Sequence, residues 1–331
     1  MSGPPVAVAA VRLAVRATVQ AVPPGALLLV ACSGGPDSTA LAAALAHEAP
    51  RDGRCGGLLT VDHAWSRQSA RVAQEVLALA DRLGLSPAEA LQAPTRRSEG
   101  AARTARRTAL LEAAGRLGAT SILLGHTLDD QAETVLMRLA RGSGARSLAG
   151  MPAADGLVRR PLLGLRRATT RQACADEGLA VWDDPGNEDP AFTRSRVRTH
   201  LLPVLAEVLG PGALPALARS ADLLRADADA LDALAAAATA NAGLPAEDTP
   251  ARDVAVSVAA LLGLEPAVRT RVLRRAALAA GSSASALSAA HVAALDDLVM
   301  RWHGQGPLDL PGVRASRRDG TIYLVASGPA R

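Results

Sequence analysis

Six small or polar residues separate two apolar stretches near the start of the chain, in the segment LLLVACSGGPDSTALAAAL (27–45). They are Ser33, Gly34, Gly35, Pro36, Asp37 and Ser38. Glycines at a strand-to-helix turn let the backbone approach a ligand closely, and free N–H groups at the start of a helix attract anions. The two serine hydroxyls can donate further hydrogen bonds to phosphate oxygens. The segment therefore predicts a phosphate-binding loop.

Asp37 is unusual in such a loop, because a carboxylate repels phosphate unless a cation lies between them. A magnesium ion held by Asp37 and by phosphate oxygens removes this conflict. The loop is not of the Walker A type, which requires a lysine, because the chain contains no lysine. The alternative interpretation is an ordinary turn in which serine and aspartate cap a helix.

A second polar group follows the apolar residues 121–124. His126 lies just after this predicted strand, and Asp130 and Glu133 are three residues apart on the next predicted helix, so they share one helix face. Two carboxylates beside a phosphate site can hold the ammonium group of an amine substrate. The neighbouring Asp129 is also explained as a residue that stabilises the start of the helix.

The predicted elements place both groups on one scaffold. The predicted strands are 26–32, 57–61, 88–92 and 121–124, and the predicted helices that alternate with them are 37–47, 66–83, 99–117 and 129–141. This alternation predicts an α/β fold with a doubly wound parallel sheet covered on both faces. Ligands of such sheets bind at the carboxyl ends of the strands, where both polar groups lie.

Beyond residue 190 the pattern is mainly helical. The predicted features are helices at 195–209 and 213–240, a linker at 241–250, two or three helices up to Met300 and a hairpin around Asp319-Gly320. We therefore expect three parts in the chain. They are a catalytic domain over 1–190, a helical linker over 191–240 and a small α+β domain over 241–331.

The composition limits the class of protein. Of 331 residues, 36 are basic, all of them arginine, and 32 are acidic, which gives a net charge of +4 and a pI near 9.7. Such a surface suits nucleic acid but does not require it. Three cysteines without C-x-x-C spacing argue against a disulfide framework, a zinc site or a redox pair. No signal peptide or membrane span is predicted, so we expect a cytoplasmic protein without a membrane partner.

The motifs also resemble those of a known family. The sequence Ser-Gly-Gly-x-Asp-Ser after an apolar strand resembles the PP-loop of the N-type ATP pyrophosphatases. Residues 123–151, LLGHTLDDQAETVLMRLARGSGARSLAGM, resemble the G-H-x-x-D-D-Q-A-E-T block of the tRNA(Ile)-lysidine synthetases. Three more segments resemble blocks of that family in the same order: EGAARTARRTALLEAA, RRPLLGLRR and VWDDPGNEDPAFTRSRVRTHLLPVL. The chain departs from the family pattern at Arg107, Thr127, Leu128 and Ser195.

The resemblance implies a ligase reaction on tRNA. The C2 oxygen of the wobble cytidine, in a tRNA(Ile) with a CAU anticodon, would attack the α-phosphate of ATP and release pyrophosphate. The ε-amino group of free L-lysine would then attack C2 and release AMP. The product, lysidine, pairs with A instead of G, which changes codon reading from AUG to AUA and amino-acid identity from methionine to isoleucine. The C-terminal domain would contact the tRNA. The protein would act as a monomer or as a homodimer.

The resemblance also implies a role for each residue of the nucleotide site. ATP would bind to Ser33, Gly34, Gly35, Pro36, Asp37 and Ser38, and Asp37 would hold Mg²⁺. Arg106, with Arg103, would offset charge at the α-phosphate or contact the cytosine. The alternative for both arginines is a solvated helix face.

The remaining candidates would act on the base, the amine and the tRNA backbone. His126 would contact the base or move a proton, or it is a buried strand-end histidine without a chemical role. Asp130 and Glu133 would hold the lysine ammonium. Contact with tRNA phosphates is assigned to Arg194, Arg196 and Arg198, with a mixed structural and binding role weighed equally.

Two other classes of function remain as alternatives. One is another PP-loop enzyme, a tRNA thiolase or an amide-forming synthetase. Thiolation usually needs paired active cysteines, which the spacing of Cys32, Cys55 and Cys174 does not provide, and no glutaminase segment is evident. The other is a non-catalytic nucleotide-binding or RNA-binding module, which would have no need of acidic residues beside a phosphate site.

Overall fold

The computed structural model describes residues 3–62, 67–93, 99–184, 186, 189–242, 244, 251 and 253–327. The chain forms two compact units, Met1–Leu224 and Arg225–Arg331. Each unit contains its own cluster of buried hydrophobic side chains.

A six-stranded sheet lies at the centre of the first unit. Its strands are β1 Leu27–Ala31, β2 Cys55–Asp62, β3 Ala88–Gln92, β4 Ser121–Leu124, β5 Ala154–Asp155 and β6 Val158–Arg159. The strand order is β3-β2-β1-β4-β6-β5, and every pairing is parallel except that of β5 with β6. The parallel sheet expected from the alternating pattern is confirmed.

Helices cover both faces of this sheet. They are α1 Val6–Gln20, α2 Pro36–Arg51, α3 Arg67–Leu83, α4 Glu99–Leu117, α5 Leu128–Leu139, α6 Ala145–Leu148, α7 Arg167–Asp176, α8 Thr193–Arg196 and α9 Leu202–Leu209. Side chains of α1, α2, α3 and α7 pack with Leu28 and Val30 on one face, whereas α4 packs with Leu29 on the other. Successive residues of β1 therefore face opposite layers, as the period of a strand requires.

The position of β1 explains where a ligand can bind. Leu28 pairs with Gly56 of β2 on one side and with Ser121 of β4 on the other. The chain moves outward from β1 to β3 and then returns to place β4 on the opposite side of β1. Connections that leave in opposite directions open a crevice at the carboxyl ends of the two strands. The phosphate loop follows β1 and His126 follows β4, so both lie at this crevice.

The second unit carries a small antiparallel sheet. Helix α10, Ala213–Asn241, contains the boundary between the units. The elements that follow it are β7 Asp253–Ser257, α11 Val258–Leu262, α12 Pro266–Ala279, α13 Ala289–Met300, β8 Leu308–Leu310, β9 Val313–Arg318 and β10 Thr321–Ala326. The strand order is β7-β10-β9-β8. Asp319 and Gly320 both have positive φ, 45° and 73°, so the predicted hairpin turn is confirmed.

Three short strands were missed by the sequence analysis. β5 and β6 contain two residues each, which is too short for a visible alternation. β7 shows alternate burial with Val254 and Val256 inside, although helices alone were predicted before Met300. Most of the predicted linker 241–250 lies outside the described residues.

No single described helix is long and apolar enough to cross a membrane. The bent pair formed by 193–209 and 213–241 meets the length and composition criteria only when its two parts are counted together.

Candidate active site

The phosphate loop connects β1 to α2. Gly34 has φ of +83°, a left-handed conformation that glycine adopts without strain. An added Cβ there would lie 3.3 Å from both the Val72 and the Val76 side chains, so the position also lacks room. Pro36 occupies the first turn of α2, where its missing N–H costs no helical hydrogen bond. The glycine and the proline are thus explained by local geometry.

The two loop serines contact each other. Their Oγ atoms are 3.3 Å apart, and Ser38 Oγ accepts a hydrogen bond of 3.1 Å from the Ser33 N–H. Ser38 Oγ also donates to the Gly35 carbonyl at 3.0 Å. Ser38 therefore stabilises the shape of the loop.

The end of β4 approaches the loop closely. An added Cβ on Gly125 would lie 3.0 Å from the Asp37 carbonyl group and from the Ser38 backbone nitrogen. Real Cβ atoms rarely come so near to backbone, so a side chain at position 125 would displace the loop. Gly125 thus allows His126 and the start of α5 to lie beside the phosphate loop.

Three carboxylates surround one guanidinium at this place. Asp37 comes from α2, and Asp130 and Glu133 come from α5. The Arg167 Nε lies 3.4 Å from Asp37 Oδ2, and its Nη2 lies 2.7 Å from Asp130 Oδ1. Its Nη1 lies 3.4 Å from Glu133 Oε1. The structure therefore brings the predicted metal ligand and the two predicted amine ligands together around Arg167.

Two further arginines complete the group. Glu133 is fully buried, and its Oε1 is 2.7 Å from Arg198 Nε while its Oε2 is 3.1 Å from Arg194 Nε. Arg198 Nη2 also lies 3.1 Å from Asp130 Oδ1. We call Asp37, Asp130, Glu133, Arg167, Arg194 and Arg198 the carboxylate–arginine cluster.

The sequence analysis missed Arg166, Arg167 and Thr170. Arg166 binds Asp129 through two N–O distances of 3.1 Å, and Asp129 Oδ2 accepts the Arg167 N–H at 2.9 Å. Thr170, one turn later in α7, donates a hydrogen bond to Asp37 Oδ1. The signal was the Arg-Arg pair at the end of RRPLLGLRR, a segment that served only as a family block.

Asp129 contributes to the start of α7 as well as lying in the first turn of α5. The N-cap of α5 is Thr127, whose N–H and Oγ both donate to Asp130 Oδ2 at 2.8 Å. Asp129 and Asp130 thus join α5 to the adjacent arginines of α7.

Burial and charge shift the pKa values of two carboxyls in opposite directions. Burial raises the pKa of Asp37, although the Thr170 hydroxyl and the Arg167 guanidinium partly offset this effect. Burial also acts upward on Asp130, but Arg167, the Thr127 N–H and further positive neighbours outweigh it and lower the pKa. Asp130 is therefore ionised at neutral pH, and Asp37 is the more readily protonated of the two.

His126 is electrically neutral at pH 7. Burial lowers its pKa to about 4, and the Arg160, Arg103 and Arg194 guanidiniums add to this shift against the opposing charge of Asp130. Its Nδ1 is buried and makes no hydrogen bond within the part of the chain that the structure describes. A neutral imidazole at this position can accept or donate a hydrogen bond to a ligand.

Arg103 and Arg106 both lie on α4. The side chain of Arg106 is partly accessible to solvent, but many protein atoms surround its guanidinium. The resulting loss of hydration, together with the positive charge of Arg103, lowers the pKa of Arg106, and the negative charge of Asp184 partly opposes this shift. Arg103 lies within electrostatic reach of His126. Arg103 therefore lies near the end of β4, and Arg106 lies near Arg103.

Two protein-family models match the chain. A PP-loop domain model matches residues 12–205, more than half of the chain, and the model of the TilS substrate binding domain matches residues 257–323. A tRNA(Ile)-lysidine synthase of Thermobifida fusca is 53% identical over 330 residues, which cover 98% of this chain and 100% of the relative. The chain belongs to the tRNA(Ile)-lysidine synthase family.

Other members of the tRNA(Ile)-lysidine synthase family are similarly close. The synthase of Salinispora arenicola is 50% identical, with 97% of each chain covered, and that of Streptomyces coelicolor is 50% identical, with 98% and 100% covered. The PP-loop domain makes this chain an ATP-using enzyme.

A solved structure shares the fold of this synthase family member. It is the U34-tRNA thiolase NcsA from Methanococcus maripaludis with its [4Fe-4S] cluster, at a TM-score of 0.56 and 16% identity. The match covers 66% of this chain and 78% of the thiolase. At this identity the likeness concerns the fold alone.

The three arginines predicted to contact tRNA fall into two groups in this synthase family member. Arg194 and Arg198 face the buried Glu133 and are only about one-fifth to one-quarter exposed. Arg196 is exposed and donates hydrogen bonds to the Pro190 and Ala191 carbonyls. Only Arg196 of the three presents its side chain mainly to solvent.

Proposed function

We propose that this chain forms lysidine at the wobble cytidine of tRNA(Ile) with a CAU anticodon. The C2 oxygen attacks the α-phosphorus of ATP and pyrophosphate leaves. The lysine ε-nitrogen then attacks C2, loses a proton, and AMP leaves with the former C2 oxygen. One observation carries the proposal: a phosphate loop and a buried acidic cluster meet at one edge of the sheet, in a chain of the tRNA(Ile)-lysidine synthase family.

The phosphate loop would hold the triphosphate of ATP. The N–H groups at the start of α2 and the Ser33 hydroxyl are donors for phosphate oxygens, and Gly34, Gly35 and Pro36 give the loop its shape. Ser38 would become a donor to phosphate when its hydroxyl turns away from the Gly35 carbonyl. These donors offset negative charge that develops at the leaving pyrophosphate, a type of stabilisation often worth about 3 kcal/mol per donor.

Asp37 is the residue that would hold Mg²⁺. Among the residues that the structure describes, no three His, Cys, Asp or Glu side chains form a metal site. A magnesium ion at Asp37 therefore needs phosphate oxygens and water as its other ligands, which is the usual arrangement for this ion. When bound, the ion neutralises charge on the phosphates.

Asp130 and Glu133 would bind the ε-ammonium of free L-lysine. Both offer carboxyl oxygens as acceptors in a largely buried setting, where an ion pair is stronger than in water. His126, neutral at pH 7, would contact the cytosine or receive the proton that the amine loses. Arg106, with Arg103, would offset charge on the α-phosphate or contact the base.

The cysteines favour ligation over sulfur transfer. Burial raises the pKa of Cys32, and burial followed by the Asp37 charge raises the pKa of Cys174 to about 12. Thiols with such pKa values are protonated at neutral pH and are poor nucleophiles. We also propose that the enzyme acts in the cytoplasm, where tRNA, ATP and free lysine are available. Homodimer formation remains a prediction.

Incorporation of labelled lysine tests the proposed function directly. Purified protein with ATP and Mg²⁺ is expected to attach labelled L-lysine to a CAU-anticodon tRNA(Ile) transcript. A tRNA(Met) transcript with the same anticodon is the control and should remain unlabelled. Absence of label on tRNA(Ile), with ATP bound, would contradict the lysine reaction, and sulfur donors and ammonia would then be tested on the same transcript.

Arg196 is the best candidate for contact with tRNA phosphates among the three arginines. Each phosphate contact contributes about 0.9 to the slope of log K against log salt concentration for a duplex and about 0.7 for a single strand. Arg196→Gln is therefore expected to reduce this slope by nearly 1 in tRNA-binding titrations. Arg194→Gln should leave the slope unchanged, because that guanidinium faces Glu133. Equal changes in the two variants would contradict this assignment.

A further inference from the structure

The guanidinium of Arg167 contacts both the carboxylate proposed to bind magnesium and the two carboxylates proposed to bind lysine. Arg167 contacts Asp37, the proposed magnesium ligand, at 3.4 Å, and it contacts Asp130 and Glu133, the proposed lysine ligands, at 2.7 and 3.4 Å. No other described arginine forms ion pairs with both sets: Arg194 and Arg198 pair only with Asp130 or Glu133. Arg167 is thus the direct link between the nucleotide side and the amine side of the cluster.

The charges of the carboxylate–arginine cluster balance. Its three carboxylates, Asp37, Asp130 and Glu133, face three guanidiniums. The guanidiniums belong to Arg167, Arg194 and Arg198. An additional lysine ammonium would give this largely buried group an excess positive charge, which is unfavourable at low dielectric. Strong lysine binding therefore requires one guanidinium to turn away from Asp130 and Glu133.

Arg167 is the guanidinium best placed to turn. Its backbone is fixed, because its N–H is bound by Asp129 and because Thr170 of the same helix is bound to Asp37. Its side chain lies beside Asp37 of the phosphate loop and has the two longest ion-pair distances in the cluster, along with one short contact of 2.7 Å to Asp130. A flexible side chain on a fixed backbone can change partners without movement of the helix.

We propose that Arg167 couples ATP binding to lysine binding, so that ATP binds first and thereby increases the affinity for lysine. Phosphate oxygens in the loop beside Asp37 offer the planar guanidinium a bidentate partner. When Arg167 turns to the phosphates, Asp130 Oδ1 and Glu133 Oε1 each lose one cationic partner and can accept an ammonium group. The inference rests on the proposed function and assigns Arg167 as a positioning residue, because it acts on lysine through Asp130 and Glu133.

The coupling is measured as a change in lysine affinity. Labelled L-lysine is titrated by equilibrium dialysis with and without saturating Mg²⁺ and α,β-methylene ATP, which cannot release pyrophosphate. Wild-type protein is expected to bind lysine about tenfold more tightly with the nucleotide, within the usual range for coupled sites. Arg167→Gln is expected to bind lysine equally in both conditions, and without nucleotide more tightly than the wild type.

Arg166→Gln is the matched control. Arg166 precedes Arg167 in the chain and, among the residues that the structure describes, forms its ion pair with Asp129, so this variant should keep the tenfold effect. Arg167→Lys provides a second test if the glutamine variant does not fold. It keeps the charge but lacks the planar fork, and its own ammonium should compete with free lysine, so it is expected to bind lysine more weakly than the wild type in both conditions.

Two results would overturn the coupling. In the first, the lysine affinity of the wild type does not change when the nucleotide is added. In the second, the lysine affinity of Arg167→Gln still rises tenfold when the nucleotide is added. In either case lysine still binds, so the proposed function stands. If the wild type binds no lysine in either condition and labels no tRNA, the proposed function fails, and the coupling fails with it.

Discussion

Asp37→Asn is expected to reduce lysine incorporation into tRNA at least about a hundredfold while leaving the folded protein at least as stable at pH 7.5. The loss of activity follows from the loss of the charge that would hold Mg²⁺ against the phosphates. The effect on stability follows from burial, which raises the pKa of Asp37 in the folded state. Asp37 therefore serves the reaction but lowers the stability of the folded protein at pH 7.5.

The size of the stability effect depends on pH. Because the pKa of Asp37 is higher in the folded than in the unfolded state, the folded state binds this proton more tightly. The contribution of Asp37 to stability is fully present below the unfolded pKa and is lost as the pH rises through the folded pKa. Asparagine avoids this loss, so the advantage of Asp37→Asn in unfolding temperature should shrink as the pH is lowered from 7.5 through the folded pKa of Asp37.

Asp183→Asn is a suitable control for this experiment. Asp183 is two-thirds exposed and pairs with Arg171, which lowers its pKa. Its replacement should leave lysine incorporation unchanged and should not raise the unfolding temperature. Normal incorporation by Asp37→Asn would contradict the magnesium role, and a clear fall in its unfolding temperature at pH 7.5 would contradict the argument from burial.

Glu133→Gln is expected to lower both stability and lysine affinity. The fully buried carboxylate is paired with Arg194 and Arg198. A neutral amide would remove the ion-pair partner that Arg194 has among the described residues and would leave Arg198 with Asp130 alone. Removing one partner of a buried ion pair typically costs about 3 kcal/mol or more. The partial exposure of both arginines favours the lower end of that range. Urea unfolding measures the loss of stability, and the KM for lysine should rise more than the KM for ATP.

Glu48→Gln separates these two effects. Glu48 is also buried, and its carboxylate binds Arg16 through Nε at 2.7 Å and Nη2 at 3.1 Å. That pair joins α1 to α2 away from the phosphate loop. The control should lose stability without a change in the KM for lysine. If Glu133→Gln also loses only stability, or raises both KM values equally, Glu133 is a structural residue rather than a lysine ligand.

Local sequence patterns were sufficient to predict the main scaffold and the phosphate loop. Apolar segments of strand length alternate with helices, and glycine, proline and hydroxyl residues occupy the turn after β1 for reasons that act within a few residues. The shared face of Asp130 and Glu133 likewise follows from helical periodicity. The hairpin at Asp319-Gly320 is an equally local signal.

Interactions between distant parts of the chain could not be predicted in this way. Arg167 is 130 residues from Asp37 in sequence, and no periodicity indicates that they meet. Arg194 and Arg198 were assigned to contact with tRNA phosphates or, with equal weight, to a mixed structural and binding role, and their buried carboxylate partner could not be named from the sequence. Sequence shows the charge of a side chain, but its counterion depends on how the helices pack.

The guanidinium groups around Asp130 and Glu133 have a further chemical consequence. An adenylated cytidine is an electrophile, and any amine tethered beside it would react at a high effective concentration. Arginine is never deprotonated in proteins, so it pairs with carboxylates without acting as a nucleophile. With no lysine anywhere in the chain, the site contains no side-chain amine that could join the tRNA to the enzyme in place of the free amino acid. The choice of arginine thus protects the enzyme against modification by its own reaction.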